Sequence, residues 1–286
     1  MGGSPSQRAG AHPRRGPRSQ GALTLPGRLC ARLEKELAGG AGLILILDYD
    51  GTLTPIVPSP GAARLAPTVR KTLDGLAKNP RVGLAVLSGR SLRDIKTRVG
   101  VANVVYGGCH GLEIEGAGVR FRHRRAAARS PRLSRTARTL ARDLRRFPGA
   151  FLELKGLAVS VHYRQVAWRR RAELLDLAAR VERQTPGVTS LPGKDVFEFL
   201  PQVHWGKGKA AVWITRQLGR KLGGRRAVVL YAGDDATDEP AFTALKGRAL
   251  TVRVGVGAGL AEYAVESVSA IHALLRRIAR AMRLSE

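Results

Sequence analysis

The chain of 286 residues has few cysteines, few aromatic residues and no long hydrophobic run. Its only two cysteines, Cys30 and Cys109, exclude a disulfide framework and a multi-cysteine zinc site. Continuous apolar segments such as residues 43–47 are far shorter than the ~20 residues that a membrane-spanning helix needs. No apolar segment typical of a secretion signal lies near the start. We therefore expect a cytoplasmic protein without a membrane partner.

Acidic residues are scarce relative to basic ones. Lys and Arg number 49 and Asp and Glu number 22, which gives a formal net charge of +27. This excess is typical of proteins that bind polyanions, so an anion- or nucleic-acid-binding protein is one hypothesis. However, 39 of the 49 basic residues are Arg, a bias that a GC-rich genome also produces. Aromatic residues make up only 5% and supply few stacking platforms, so we do not expect nucleic acid as a specific partner.

The part of the chain that can form a core alternates between strand and helix patterns. Residues 1–24 are rich in Gly, Pro, Ser and Arg, contain no acid, and are predicted to be a disordered basic tail. Apolar runs predict buried strands at 42–47, 82–87, 101–106, 227–231 and 249–254. Amphipathic segments predict helices at 25–37, 67–78, 91–99, 207–218, 238–245 and 268–283. The alternation predicts an α/β core with a doubly wound parallel sheet over residues 25–120 and 203–286.

The segment 121–202 follows a different pattern and is predicted to be an inserted α+β domain. Its predicted elements are, in order, a helix at 131–147, strands at 151–155 and 157–163, a helix at 166–184, and strands at 188–191 and 196–200. This order is αββ repeated once. Eleven Arg lie between Arg120 and Arg146, and most of them are interpreted as a solvated helix face.

Carboxylates follow the first predicted strand directly, in the segment Asp48-Tyr49-Asp50-Gly51. Residues two apart on an extended chain point the same way, so Asp48 and Asp50 should converge at the strand's carboxyl end. In open α/β sheets that end is where ligands bind. Two close carboxylates are compatible with a bound cation or with one retained proton, and a plain Asp-Gly turn is the alternative.

A second acidic cluster follows the predicted strand at 227–231. Asp234, Asp235, Asp238 and Glu239 place four acids within six residues, which is costly unless a cation is held there. Oxygen ligands suit Mg²⁺ better than zinc. A helix N-cap explains one of these acids but not four. The sequence therefore predicts a magnesium site.

Two further residues can bind a phosphoryl group. Ser88 ends a predicted strand and Lys207 opens a predicted helix, so both should lie at the same sheet edge as the acids. The spacing around Lys207 does not match G-x-x-x-x-G-K-[ST], which excludes a P-loop for nucleotides.

In this order, Asp48-x-Asp50-Gly-Thr, Ser88, Lys207 and Gly233-Asp234-Asp235 resemble the four motifs of the haloacid dehalogenase superfamily of phosphatases. The segments DYDGTLTPI, LSGR, YGGCHGLEI, FEFLP, GKGKA and GDDATDE are similar to those of its trehalose-6-phosphate phosphatases, and the resemblance spans about residues 42–283. Cys109 and Leu200 depart from the family pattern, outside the phosphate chemistry.

The resemblance implies a role for each matching residue. Asp48 would be the nucleophile that forms an aspartyl-phosphate, Asp50 the general acid and base, and Ser88 and Lys207 the ligands of the phosphoryl group. Mg²⁺ would be held by Asp48, the Asp50 carbonyl and Asp234, and Asp235 and Asp238 would support its water shell. Phosphate and sugar contacts would come from Gly51, Arg90, His110, Glu153, Lys155, Arg164 and Glu198. By spacing alone, the charged residues of the inserted strands fit a solvated face equally well.

The resemblance thus implies a Mg²⁺-dependent phosphoric monoester hydrolase that converts trehalose 6-phosphate to trehalose and phosphate, with an inserted domain that provides sugar specificity. We expect a monomer. A related sugar phosphatase, acting on sucrose phosphate or a phosphorylated glycerate glucoside, is the nearest alternative. The non-enzymatic alternative is the basic anion- or nucleic-acid-binding protein, which gives no reason for acids clustered at two strand ends.

Overall fold

The computed structural model describes residues 26–193 and 195–284, so the predicted tail at 1–24 lies outside the described residues. The strands of the described residues are β1 (Gly42–Leu47), β2 (Val82–Leu87), β3 (Val104–Gly108), β4 (Glu113–Gly116), β5 (Val119–Arg122), β6 (Phe151–Leu154), β7 (Val159–His162), β8 (Val188–Gly193), β9 (Val196–Pro201), β10 (Ala227–Gly233), β11 (Leu250–Val254) and β12 (Tyr263–Val265). Their α-helices are α1 (Gly27–Ala38), α2 (Pro67–Lys78), α3 (Leu92–Val99), α4 (Arg124–Ala128), α5 (Ser130–Asp143), α6 (Trp168–Gln184), α7 (Lys207–Lys221), α8 (Glu239–Leu245) and α9 (Val268–Leu284).

The larger sheet has eight strands in the order β12-β11-β10-β1-β2-β3-β4-β5. The six strands from β12 to β3 pair in parallel, which confirms the predicted α/β fold with a parallel sheet. The last two strands, β4 and β5, are antiparallel and form a hairpin that the sequence analysis did not predict.

Strand β1 lies between β10 and β2, and its uninterrupted apolar sequence explains this central position. Its side chains alternate between two hydrophobic cores. Leu43, Leu45 and Leu47 pack on one face with side chains of α1, α2 and α9. Ile44 and Ile46 pack on the other face with side chains of α7 and α8. Helices therefore cover both faces of the sheet, as a doubly wound fold requires.

The smaller sheet is antiparallel, with the strand order β6-β7-β9-β8, and it lies between β5 and α7 in the chain. Its elements follow the predicted order αββαββ. Alternate residues such as Val159, Val161, Phe197 and Phe199 pack against α5 and α6 in a separate hydrophobic core. The residues between them point to the opposite face, which contributes to the pocket described below.

Most element ends agree with the sequence prediction within a few residues, with three larger differences. The strand predicted at 101–106 forms at Val104–Gly108. The helix predicted at 131–147 ends at Asp143 and continues as a 3₁₀ turn, Leu144–Arg146. Strand β5 extends to Arg122, two residues into the segment predicted as the insert.

Helix starts follow the expected chemistry. Ser91 caps α3 by accepting a hydrogen bond from the Asp94 backbone N–H at 3.1 Å, and Pro67 is the first residue of α2. Across the described residues, every helix is too short or too polar to be a membrane-spanning candidate.

Candidate active site

Asp48 follows β1, and its backbone N–H donates to the Ala232 carbonyl of β10 at 2.9 Å, which fixes the end of β1 against β10. The Asp48 side chain is buried, with the residue only 4% exposed. Lys207, the first residue of α7, donates from Nζ to Asp48 Oδ1 at 2.8 Å. The predicted meeting of the β1 acid and the α7 lysine therefore occurs, across 159 positions of sequence.

Asp238, in the turn after β10, is fully buried and accepts several hydrogen bonds. Lys207 Nζ donates to it at 2.8 Å and the Tyr231 hydroxyl donates at 2.6 Å. The backbone N–H groups of Asp234 and Asp235 donate to its other oxygen, each at 3.2 Å. Asp238 thus fixes both the position of the lysine and the shape of the loop after β10.

Carboxylate oxygens of Asp48, Asp234 and Asp238 lie within 4.8 Å of one another. Asp234 approaches the turn after β1, where the Thr52 hydroxyl donates to it at 3.4 Å. Gly51 permits this approach, because a Cβ at that position would overlap the Asp234 carboxylate, and its φ of +85° favours glycine. The two strand ends predicted to meet therefore form one acidic cluster.

Burial and neighbouring charges together set the pKa values in this cluster. Burial raises the pKa of Asp48 well above its ordinary value; Lys207 opposes this effect, whereas Asp238 and Asp234 add to it. Burial alone would lower the pKa of Lys207, but the negative charges of Asp238 and Asp48 outweigh it and raise that pKa. The ammonium therefore stays protonated at neutral pH.

The cluster fits a divalent cation by its donor chemistry and charge. Three buried carboxylates face one buried ammonium, so two negative charges remain uncompensated when all three are ionised. All candidate ligands are oxygens, which suits Mg²⁺. Asp48, Asp234 and Asp238 are the described residues that could hold such an ion.

Two acids predicted at the metal site, Asp50 through its carbonyl and Asp235 through the water shell, have other partners for their side chains. The Asp50 carboxylate accepts two hydrogen bonds from Arg90, from Nε at 2.6 Å and from Nη2 at 2.7 Å. Arg90 also donates to Asp94 at 2.7 Å, so the guanidinium lies between two acids. Asp235 accepts a hydrogen bond from the Ala236 backbone N–H at 2.7 Å and caps the turn before α8. The side chains of Asp50 and Asp235 are therefore not part of the three-carboxylate cluster.

Ser88 is buried at the end of β2, and its Oγ accepts a hydrogen bond from the Arg90 backbone N–H at 3.2 Å. A strained turn lies beside it, because Cys109, His110 and Gly111 all have positive φ. Two hydrogen bonds fix this turn: the Cys109 N–H donates to the Arg90 carbonyl at 2.7 Å and the His110 N–H to the Ser88 carbonyl at 3.0 Å. The backbone conformation of this turn places the His110 side chain in the pocket described below.

The smaller sheet contributes a buried charged group that contacts the larger one. Glu198 bonds to His110 at 2.5 Å, accepts from the Ser160 hydroxyl at 2.5 Å, and pairs with Lys155. Lys155 Nζ also donates to the Gly89 carbonyl at 3.2 Å. Burial alone would raise the pKa of Glu198, but Lys155 and His110 hold it well below its ordinary value. Glu198 is therefore an ionised carboxylate at the junction of the two sheets.

A second charged group lies further along the same face. Glu153 bonds to His162 at 2.8 Å, and the ring of Phe151 stacks on His162 with ring centroids 4.5 Å apart. Burial would raise the pKa of Glu153, but the His162 hydrogen bond and the Lys155 charge outweigh it and lower that pKa. Arg164 donates to the Val57 carbonyl of the larger unit at 3.0 Å.

One pocket between the sheets is lined by most of the predicted residues. They are Asp48, Asp50, Ser88, Arg90, His110, Glu153, Lys155, Arg164, Glu198, Lys207, Asp234 and Asp235. Gly51 and Asp238 lie next to this pocket without lining it. The charged residues of the inserted strands thus face a pocket. The sequence allowed either a ligand-contacting face or a solvated face for them, and the structure has the pocket face.

Several pocket residues were missed by the sequence analysis. Phe151 and His162 line the pocket, and Ser160 and Tyr231 support charged groups in it. The alternation of β7 offers a signal for two of them: because Val159 and Val161 are apolar core residues, Ser160 and His162 must point to the other face. Nothing local marks Phe151, which is an aromatic residue at a strand start.

The two departures from the family pattern, Cys109 and Leu200, pack in the same apolar cluster with Leu157 and Trp205. Burial raises the pKa of the Cys109 thiol to about 12, so it stays protonated and donates to the Lys155 carbonyl at 3.2 Å. Cys109 therefore supports the position of Lys155 from behind the pocket.

Comparison with known proteins gives consistent matches over most of the chain. The model of the trehalose-phosphatase family matches residues 46–269. A trehalose-phosphate phosphatase of Mycobacterium tuberculosis (strain ATCC 25618 / H37Rv) is 37% identical over 245 residues, which cover 84% of this chain and 62% of that protein. The chain therefore spans less than two thirds of the length of the curated relatives it matches first.

Solved structures show the same fold. A trehalose-6-phosphate phosphatase related protein superposes with a TM-score of 0.75 at 24% identity, covering 85% of this chain and all of that one. A haloacid dehalogenase-like hydrolase from Bacteroides thetaiotaomicron superposes with a TM-score of 0.59 at 14% identity, covering 83% of this chain and 99% of that one. These two likenesses concern the fold alone.

The close approach of Gly51 to Asp234 can be tested by adding one methyl group. We expect Gly51→Ala to lower the free energy of unfolding by about 1 kcal/mol or more, because the new Cβ meets the Asp234 carboxylate and φ is positive. The control Gly75→Ala lies in α2 with open space around it and should raise stability by about 0.5 to 1 kcal/mol. Urea unfolding measures both changes. A Gly51→Ala protein as stable as the wild type would contradict the described packing.

Proposed function

The chain belongs to the trehalose-phosphatase family, and from that membership we propose that it is a phosphoric monoester hydrolase that releases phosphate from trehalose 6-phosphate. One observation carries the proposal. In the pocket between the sheets, Asp48, Ser88, Lys207 and Asp234 at the edge of the larger sheet face the charged residues of the smaller sheet. We assign residues 25–120 and 203–286 to the catalytic unit and residues 121–202 to a substrate-binding cap.

Asp48 is the nucleophile of the proposed reaction. One of its carboxylate oxygens bonds to phosphorus while the bond from phosphorus to the sugar oxygen breaks, which leaves an aspartyl-phosphate. Water then attacks phosphorus, releases inorganic phosphate and restores the carboxylate. Lys207 Nζ, 2.8 Å from Asp48, balances the charge of the attacking oxygen and of the phosphoryl oxygens. The buried position of Asp48 supports this role, because few waters compete for it.

Asp50 is the general acid and base in this scheme. It donates a proton to the leaving sugar oxygen and later accepts one from the attacking water. In the described conformation both of its oxygens accept hydrogen bonds from Arg90. Its side chain is partly exposed, and we infer that it rotates away from Arg90 when substrate binds. Arg90 then keeps Asp94 as a partner.

Asp48, Asp234 and the Asp50 carbonyl are the groups we assign to Mg²⁺, and Asp235 and Asp238 would support its water shell. When bound, the ion neutralises the excess negative charge of the cluster, keeps Asp48 ionised and polarises the phosphoryl oxygens. Asp238 also holds Lys207 and the loop after β10, so it acts mainly by positioning.

The smaller sheet supplies the sugar contacts of the proposed substrate. Glu153, Lys155, Arg164 and Glu198 line the pocket with His110, and their charged groups suit the hydroxyls of a sugar. Phe151 offers the face of an aromatic ring in the same pocket and is 45% exposed. Rings of this kind pack against the apolar face of a pyranose, so Phe151 is suited to contact the second glucose of a disaccharide.

The same residues tie the cap to the catalytic unit. Lys155, Glu198 and Arg164 of the cap bond to Gly89, His110 and Val57. We infer that these bonds hold the cap over the catalytic unit, and that product leaves when they open.

The nucleophile assignment predicts that Asp48→Asn lowers kcat for trehalose 6-phosphate with Mg²⁺ by at least about a thousandfold, because the amide cannot form the acyl phosphate. Phosphate release measures the rate, and thermal unfolding checks the fold. Asp176→Asn, at an exposed position of α6, makes the same charge change and should leave kcat unaltered. An Asp48→Asn protein that keeps a tenth of the activity would refute the assignment.

The specificity assignment predicts that Phe151→Ala raises KM for trehalose 6-phosphate by about tenfold, since the ring's contact with the second glucose is lost, while kcat changes little. Glucose 6-phosphate, which lacks the second ring, should show no such change. Leu154→Ala is the matched control, because Leu154 lies on the same strand but outside the pocket. Steady-state kinetics on a panel that includes sucrose phosphate and a phosphorylated glycerate glucoside measures these ratios. Equal losses for the one-ring and two-ring substrates would place Phe151 outside the sugar site.

A further inference from the structure

A second concave surface lies where the chain passes between the two sheets, and among the described residues it shares no lining residue with the substrate pocket. We call it the connection groove, and it has a volume of about 740 Å³. The residues that matter here are Phe121, Arg124, Arg125, Arg129, His204 and Trp205. They come from both connecting segments, because β5 and α4 precede the smaller sheet and residues 202–205 follow it.

The groove has positive charge that the described residues do not compensate. Arg120 and Arg122 also line it, but they lie opposite Glu115 and Glu113 in the β4–β5 hairpin. Arg124 and Arg125, by contrast, are exposed, and no carboxylate among the described residues forms a salt bridge with either. The free charge of the groove therefore comes mainly from α4.

The floor of the groove is aromatic and well fixed. The rings of Phe121 and Trp205 stack with centroids 4.7 Å apart, and Trp213 packs against Phe121 at 5.1 Å. Trp205 Nε1 donates to the Gly111 carbonyl at 2.7 Å, which holds the indole in place. The aromatic floor therefore gives the groove a fixed shape beneath the exposed arginines.

Arg129 links the two connecting segments directly. Its guanidinium donates to the carbonyl of Gln202, although Arg129 precedes the smaller sheet and Gln202 follows it. A guanidinium has five N–H donors, so Arg129 keeps donors available for a further acceptor. An anion in the groove would contact both segments at once.

We propose that the connection groove binds a small, multiply charged phosphate-bearing anion, separate from the substrate pocket. Guanidinium groups bind phosphate oxygens with paired, charge-assisted hydrogen bonds, which fits Arg124, Arg125 and Arg129. The charges converge on one concavity from α4 and from Arg129, which directly precedes α5, and this favours a compact ligand over an extended polymer. Because the ligand spans both connections, its binding restrains the smaller sheet relative to the larger one.

The test uses inorganic tripolyphosphate as the probe, with the full chain in metal-free buffer at low salt. Without a cation, the three carboxylates of the substrate pocket repel the probe. We expect saturable binding of one equivalent by titration calorimetry, a change in tryptophan fluorescence because Trp205 forms the floor, and weaker binding as salt is raised.

Arg124→Glu/Arg125→Glu should weaken this binding by about tenfold or more, because two charge-assisted contacts become repulsive. Arg138→Glu/Arg142→Glu makes the same charge change on the exposed face of α5, outside the groove, and should change affinity by no more than about twofold. If the first variant does not fold, Arg124→Gln/Arg125→Gln replaces it.

Three outcomes would overturn the proposal. The first is a wild-type protein that shows no saturable binding of tripolyphosphate. The second is an equal loss of affinity in both double variants, which would indicate a general effect of net charge. The third is a single-stranded RNA of about 20 nucleotides that binds more tightly than tripolyphosphate and loses affinity equally in both variants, which would identify the basic surface as a nucleic-acid site.

Discussion

Three buried carboxylates held beside one buried ammonium form the constraint on which the rest of the site depends. Asp48, Asp234 and Asp238 come from the ends of two adjacent parallel strands, and Lys207 lies between two of them. Because the carboxylates are buried, water solvates them poorly, and nearby charged and hydrogen-bonding groups must balance them instead. The parallel pairing of β1 with β10 brings the acids together, and the start of α7 places the lysine among them. The excess negative charge makes a divalent cation the natural complement.

The surrounding structure adapts to this cluster at some conformational cost. Gly51 and Gly233 leave no room for a Cβ because Asp234 and Asp238 lie against them. Tyr231 uses its buried hydroxyl to support Asp238. Three successive residues with positive φ bring His110 to Glu198, which joins the two sheets. Strain and buried polarity thus concentrate where the two sheets meet, as is common at functional sites.

The larger sheet was predictable because its strands are continuous apolar runs bounded by glycines, prolines and charges. The segments at 42–47 and 82–87 appear with the predicted bounds. The β4–β5 hairpin was missed although Gly116 and Gly118 flank its turn, because its short strands carry charged residues at alternate positions. For the site, the predicted strand ends could indicate which acids share a sheet edge. It could not indicate that Asp50 pairs with Arg90, forty positions away, or that His162 stacks on Phe151, since side-chain partners depend on tertiary packing.

Divalent-metal binding tests the central claim most directly. In titration calorimetry with Mn²⁺ as a probe for Mg²⁺, the wild-type protein should bind one ion. Asp234→Asn should bind it at least about tenfold more weakly, since a carboxylate ligand is lost. Asp176→Asn, which removes an exposed carboxylate elsewhere, should bind as the wild type does. A wild-type protein that binds no ion, or an Asp234→Asn protein with unchanged affinity, would contradict the account.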